Sequence, residues 1–180
     1  MNVSTLRPDC VGRNRLDPHR LLIASGGYTL IEILVSVLVL AIGLLGLAQL
    51  QLMSIQNTHS SHLRSIATAL AYDMADRVRA NPAGFQTGAY NNPAATQDAS
   101  CLAAGCAPGA MAGHDAFEWQ TDVAALLPSG AAVICLDSTP NDGIPGTPDC
   151  DGGGQIYAIK IWWADDKTGN LQQFVTNFEP

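Results

Sequence analysis

From Ile33 to Leu63 the chain carries no Asp, Glu, Lys or Arg. The first twenty of those residues, Ile33–Leu52, are mostly Leu, Val, Ile, Ala and Gly. At about 1.5 Å per helical residue, twenty residues span about 30 Å, the hydrocarbon thickness of a bilayer. A buried core helix of the same composition would need apolar segments to wrap it, and the others in this chain are too short. The run is therefore read as a membrane span over about 33–52. Arg7, Arg13, Arg15 and Arg20 precede it, against Asp9 and Asp17, whereas the sequence beyond the span is strongly acidic. Cationic flanks stay on the cytoplasmic side. The expected topology is single-pass, with a cytoplasmic N-terminus and the residues after about 60 outside.

Among 180 residues, 14% are charged and the net charge is −7. Beyond Ala80 two lysines face eleven carboxylates. Such a surface is unsuited to holding nucleic-acid phosphates. A secretory signal peptide shares the basic-then-apolar order, but its small-residue cleavage site follows the apolar region. Here Gln49-Leu50-Gln51-Leu52-Met53 follows, and the small residues Ala24-Ser25-Gly26-Gly27 come before. Glu32 opens the span with no basic residue within four positions. A carboxylate at the bilayer centre costs about 2.5–3.5 kcal/mol on insertion scales, and less near the edge. It calls for a partner, and an amine created four residues upstream would serve.

Gly27-Tyr28-Thr29-Leu30-Ile31-Glu32, followed by the apolar span, resembles the type IV prepilin motif. The resemblance implies that a prepilin peptidase cuts between Gly27 and Tyr28 on the cytoplasmic side and N-methylates Tyr28. It implies too that Glu32, fifth in the mature chain, faces a neighbouring subunit's terminal amine during assembly. Two departures stand out: Phe is commoner than Tyr at the first mature position, and a 27-residue leader is long for the family. The segment Leu70-Ala71-Tyr72-Asp73-Met74-Ala75-Asp76-Arg77-Val78-Arg79-Ala80-Asn81-Pro82 is similar to the PilV group of minor pilins, the type IV pilus modification proteins. The runs Tyr157–Trp163 and Phe174–Phe178 are similar to the same group.

The organisation expected is a removable leader over 1–27, one helix over 28–80 and a periplasmic head over 81–180. The fold class is α+β, a long pilin-type helix packed on a small antiparallel sheet. No Pro interrupts the helix, and Asn81-Pro82 ends it, because a residue before Pro avoids helical backbone. Leu63, Ile66, Leu70, Met74 and Val78 recur at three- and four-residue spacings, which makes an apolar stripe for the head to pack on. Asp73 and Arg77 lie four apart, for an exposed pair worth a few tenths of a kcal/mol. Gly43 and Gly46 weaken the helix locally by about 1 kcal/mol each. They serve helix packing in lipid or a melted turn on entry into a filament.

Residues 83–114 show no period and read as a long loop with a turn near Cys101–Cys106. Asp115 is expected to cap a short helix running to Leu127, with Trp119, Val123, Leu126 and Leu127 on one face. Strands follow at Ala131–Leu136, Gln155–Ala164 and Leu171–Phe178, the last two joined by a turn over Asp165–Asn170. On the middle strand Tyr157, Ile159, Ile161 and Trp163 alternate with Ile156, Ala158, Lys160 and Trp162. Of the adjacent tryptophans, one is expected in the core and the other on a contact surface.

Cys10 would leave with the leader. Cys101, Cys106, Cys135 and Cys150 remain, an even count suited to a disulfide-permissive compartment. Three pairings are possible. Cys101–Cys106 and Cys135–Cys150 are favoured because each closes a short loop, and a 15-residue loop is worth roughly 3 kcal/mol. Paired Cys-x-x-Cys knuckles are missing, so no zinc site is expected. Asp137, Asn141, Asp142, Asp149 and Asp151 crowd one loop but miss the calcium-loop spacing. They read as a solvated acidic loop. His59 and His62 read as a polar face at headgroup level, and His114 as a lone loop histidine. No nucleophile constellation or phosphate-cradling Gly motif is recognisable, so neither enzyme activity nor a cofactor or metal is expected.

The resemblance implies a minor pilin of the inner membrane and then of the pilus, near its tip. It would prime assembly with other minor pilins and the major pilin, through the inner-membrane assembly platform, and support adhesion and twitching motility. Other readings are a type II secretion pseudopilin, a non-polymerising membrane-anchored periplasmic binding protein, and a component of a DNA-uptake pilus.

Overall fold

The computed structural model describes residues 27–165 and 170–179. The Arg-rich segment 1–26 with Cys10, and the turn residues Asp166, Lys167, Thr168 and Gly169, lie outside the described residues. The elements run α1 (Leu30–Ala80), α2 (Pro82–Gln86), α3 (Ala99–Ala103), α4 (Pro108–Leu126), β1 (Ala131–Leu136), β2 (Tyr157–Ala164) and β3 (Leu171–Phe178). This is the expected α+β arrangement. The chain divides into two units between Leu47 and Ala48.

In the first unit the described residues are almost all helix, and every one of them is exposed, Ile33 to Leu47 included. Alpha-helical backbone continues through Gly43 and Gly46. The unit carries the start of a stretch long and apolar enough to cross a membrane.

In the second unit the stripe on α1 forms the core. Leu63, Leu70, Met74 and Val78 are buried, with Ile66 partly buried beside them. Ala67, Ala71 and Ala75 are buried as well, and their short side chains let neighbouring elements approach the helix closely. From α4, Trp119 and Val123 complete the seam, and the Trp119 indole N–H donates to the Leu70 carbonyl at 2.9 Å. Leu127 is buried, but Leu126 is exposed and leaves the face predicted for it.

Residues 83–114 are not one long loop. Asn81 caps α2 by accepting the Gly84 N–H, with Pro82 at the first helical position. Asp98 caps α3 by accepting the Ser100 N–H. Pro108 starts α4 seven residues before Asp115, because Pro suits a first turn whose N–H groups are unsatisfied anyway. Asp115 is therefore an interior helix residue and not a cap. Gly109 and Gly113 depress intrinsic propensity in this helix, and tertiary packing through Ala112, Ala116 and Trp119 overrides it.

The sheet has the order β1-β2-β3, both pairs antiparallel, with Ile134 opposite Ile159 and Ile161 opposite Phe174. Tyr157, Ile159, Ile161 and Trp163 join the core under α1 and α4. The Tyr157 ring meets Phe85 of α2 and Phe178 of β3, with centroids 5.3 and 5.9 Å away. The opposite face is covered too. Trp162 is only 3% exposed and packs with Val133, Cys135 and Cys150. Trp163 is 2% exposed, so neither tryptophan forms the expected contact surface. The reason is the loop between β1 and β2, which folds back over that face.

Truncating Trp119 should cost about 3–5 kcal/mol, as for other buried large-to-small changes. Urea unfolding of the detergent-solubilised chain, followed by circular dichroism, should show Trp119→Ala with a lower midpoint and Leu126→Ala close to wild type.

Candidate functional site

Two regions hold the residues singled out by sequence. The first is the start of α1. Gly27, Tyr28 and Thr29 precede the helix in non-helical backbone and are exposed, Tyr28 at 77%. The Gly27–Tyr28 peptide bond therefore lies just outside the hydrogen-bonded helix. Thr29 sets the helix start: its hydroxyl accepts the Glu32 N–H at 3.3 Å and its carbonyl accepts the same N–H at 3.0 Å. Thr29-Leu30-Ile31-Glu32 has the spacing of a capping box, a helix-start signal that overlaps the Gly27–Glu32 motif. Glu32 lies in the first turn of α1, where the helix dipole favours a negative charge.

The second region is the head, where two charge networks hold the elements together. Asp73 and Arg77 do pair, Nε to Oδ2 at 2.9 Å, but Arg77 is not confined to an exposed helical pair. Its Nη1 lies 2.9 Å from Glu118 and 3.6 Å from Asp115 on α4. Burial opposes the charge on Arg77, yet the contacts with Glu118, Asp73 and Asp115 hold its pKa above the ordinary value. The same contact with Arg77 keeps the Glu118 carboxyl below its usual range. Tyr90 donates its hydroxyl proton to Asp115 at 2.5 Å and accepts from Asn81 Nδ2 at 3.1 Å. Burial, with Asp115 beside it, pushes the Tyr90 phenol up. His114 is not a loop histidine: it sits buried on α4, its Nδ1 accepts the Asp98 N–H at 3.2 Å, and its Nε2 lies 3.3 Å from Glu118. These contacts tie α1, α3 and α4 together.

The second network lies under the loop between β1 and β2. This loop is not simply solvated. Lys160 of β2 is wholly buried, and its Nζ lies 2.5 Å from Asp137 Oδ2 and 2.9 Å from Asp142 Oδ1. Asp137 is itself 3% exposed, whereas Asn141, Asp142, Asp149 and Asp151 are exposed. Asp151 accepts the Ser138 and Gly153 N–H groups and bonds the Ser138 hydroxyl. The Asp151 carboxyl is accordingly held low, first by Ser138. Disulfides join Cys101 to Cys106 and Cys135 to Cys150. The longer one pins the loop to β1. Cys135, Asp137 and Cys150 lie close enough to hold a metal, but the disulfide occupies both sulfurs. His59 and His62 are exposed on α1.

A family model described as Tt1218-like, type IV pilin Tt1218, matches residues 49–117. The match covers the second unit from α1 into α4 and supports a type IV pilin, a structural protein that is not typically an enzyme. The apolar stretch of α1 fits a membrane-anchored pilin. No curated protein and no solved structure matches the chain.

The networks set a pH window. Burial opposes the charge on Lys160, but Asp137 and Asp142 outweigh it and raise its pKa above the ordinary 10.5. That contribution is intact below pH 10.5 and is lost as pH rises through the raised value. Asp142, held low by Thr139 and Lys160, and Glu118, held low by Arg77, act in the opposite sense. Their contribution is intact above the ordinary carboxyl range and is lost as pH falls through the lowered values. The thermal midpoint of the head should fall as pH drops below the ordinary carboxyl range and again as it rises above 10.5. A midpoint that climbs above pH 10.5 would contradict the Lys160 assignment.

Proposed function

We propose that the chain is a minor pilin of a type IV pilus, made as a precursor whose leader, residues 1–27, is removed by prepilin peptidase. The observation that carries this reading is the order of features on α1. An exposed Gly27–Tyr28 bond precedes the helix, Glu32 follows in its first turn, and a charge-free apolar stretch comes next. The match of residues 49–117 to a type IV pilin family supports the reading from the other half of the helix.

The proposed sequence of events follows from charge and solvent. The precursor spans the inner membrane over about 33–52, with the leader in the cytoplasm and the head, 81–180, in the periplasm. Cleavage frees the Tyr28 amine, which is then N-methylated. Left unpaired within the bilayer, Glu32 is unfavourable by up to about 2.5–3.5 kcal/mol. Pairing with the terminal amine of an adjoining subunit removes that penalty and sets the axial register of the two helices. The apolar surface of α1 then passes from lipid to the packed helices of a filament core. As a minor component, this pilin joins other minor pilins to prime assembly near the tip, in support of adhesion and twitching motility.

The test is Glu32→Ala beside Glu32→Gln. Both should insert in the inner membrane as wild type does, and both should fall at least tenfold in sheared surface filaments. Wild-type incorporation of Glu32→Ala would remove amine pairing from the mechanism.

A further inference from the structure

The loop between β1 and β2 places four oxygens around one point. Lys160 Nζ contacts Asp137 Oδ2 at 2.5 Å, the Pro148 carbonyl at 2.8 Å, Asp142 Oδ1 at 2.9 Å and the Asp142 carbonyl at 3.2 Å. The backbone is shaped to bring them there. Gly143 has φ +80°, and a Cβ on it would overlap the Pro148 carbonyl, so only Gly lets the strand of loop carrying Pro148 close over Asp142. Ile144 and Thr147 bond each other's backbone across the tight turn between them, both at 3.0 Å. Gln173 of β3 donates to the Asp142 carbonyl at 3.3 Å, and the Cys135–Cys150 disulfide anchors the far end.

Two carboxylates and two backbone carbonyls converging on one centre are hard-oxygen donors of the kind that calcium takes, four of the six to eight it needs, with water left to supply the rest. Here the centre is an ammonium on a wholly buried stem. We infer that the Asp137–Cys150 segment is a cation cage occupied by the chain's own Lys160, whose ammonium stands where a calcium ion would otherwise hold the loop. Two consequences follow. The native head needs no divalent ion to close this loop. Removing the amine leaves two carboxylates and two carbonyls around an empty centre, which calcium can reach past the exposed Asp142 side chain.

Thermal unfolding of the full chain in detergent, disulfides intact, reads both consequences when run in excess EDTA and in millimolar calcium chloride. Terbium luminescence sensitised by the nearby tryptophans reports direct binding. Wild type should unfold at the same temperature in both buffers and show no saturable terbium signal. Lys160→Ala should unfold lower in EDTA, recover several degrees in calcium, and bind terbium at least tenfold tighter than wild type. Adding Asp137→Asn to Lys160→Ala should abolish that binding. Lys160→Met, which refills the space with an apolar chain, should stay calcium-insensitive. If Lys160→Ala does not accumulate, Lys160→Gln offers an amide oxygen at the same place and is read the same way. A wild-type midpoint raised by calcium would mean that an ion, not Lys160, fills the cage. Variants blind to both ions would mean that the four oxygens form no cation site.

Discussion

The seam between the second half of α1 and Trp119 of α4 is the contact on which the head depends. Leu63, Leu70, Met74 and Val78 supply apolar bulk, and Ala67, Ala71 and Ala75 between them keep the helix surface low. Trp119 fills the resulting groove, and its indole N–H finds a carbonyl of the same helix. Burial of this kind dominates folding energetics. The sheet then packs Ile159, Ile161 and Trp163 on the same core. A helix that is apolar on all sides over Ile33–Leu47, Ser36 apart, thus has a second half apolar on one face only. That change of pattern along one element separates a stretch long and apolar enough to cross a membrane from one that packs the core of the second unit.

Around the seam, charges are used sparingly and mostly in networks. Arg77 gathers Asp73, Asp115 and Glu118 from two helices, and Lys160 gathers Asp137 and Asp142 from one loop. Replacing a buried ion pair by apolar side chains is often neutral for stability, whereas breaking one costs about 3–5 kcal/mol. The geometry gives these pairs a role in register. Arg77 sets the rotation of α4 on α1, and Lys160 sets how the acidic loop lies on the sheet. With both faces of a three-stranded sheet covered, a head of modest size buries both tryptophans of β2.

Much of this was legible in the sequence for physical reasons. Strict spacing marked the α1 stripe, alternation marked β2, and the tight Gly- and Pro-rich spacers delimited the strands. The segment from Pro82 to Asp115 was not legible. Its helices are short or glycine-bearing, and their starts depend on caps from Asn81 and Asp98 and on packing against α1, which local propensity does not register. The buried state of Trp162, His114 and Asp137 was missed for one common cause. Each is covered by chain distant in sequence, and a Lys at an alternating strand position reads as solvent-facing until its carboxylate partners are known. At the start of α1 the residues stood in plain view, and the Thr29 cap adds a structural reason for the helix to begin just after Tyr28.

The central claim is that Tyr28 becomes the first residue of a subunit that enters a filament. Intact-mass and N-terminal peptide mass spectrometry on native membranes and on sheared surface filaments tests it directly. The predicted result is a chain beginning at N-methyl-Tyr28, with Cys101, Cys106, Cys135 and Cys150 oxidised, in the sheared fraction. A chain that keeps residues 1–27 in every fraction would contradict it and leave an ordinary membrane anchor.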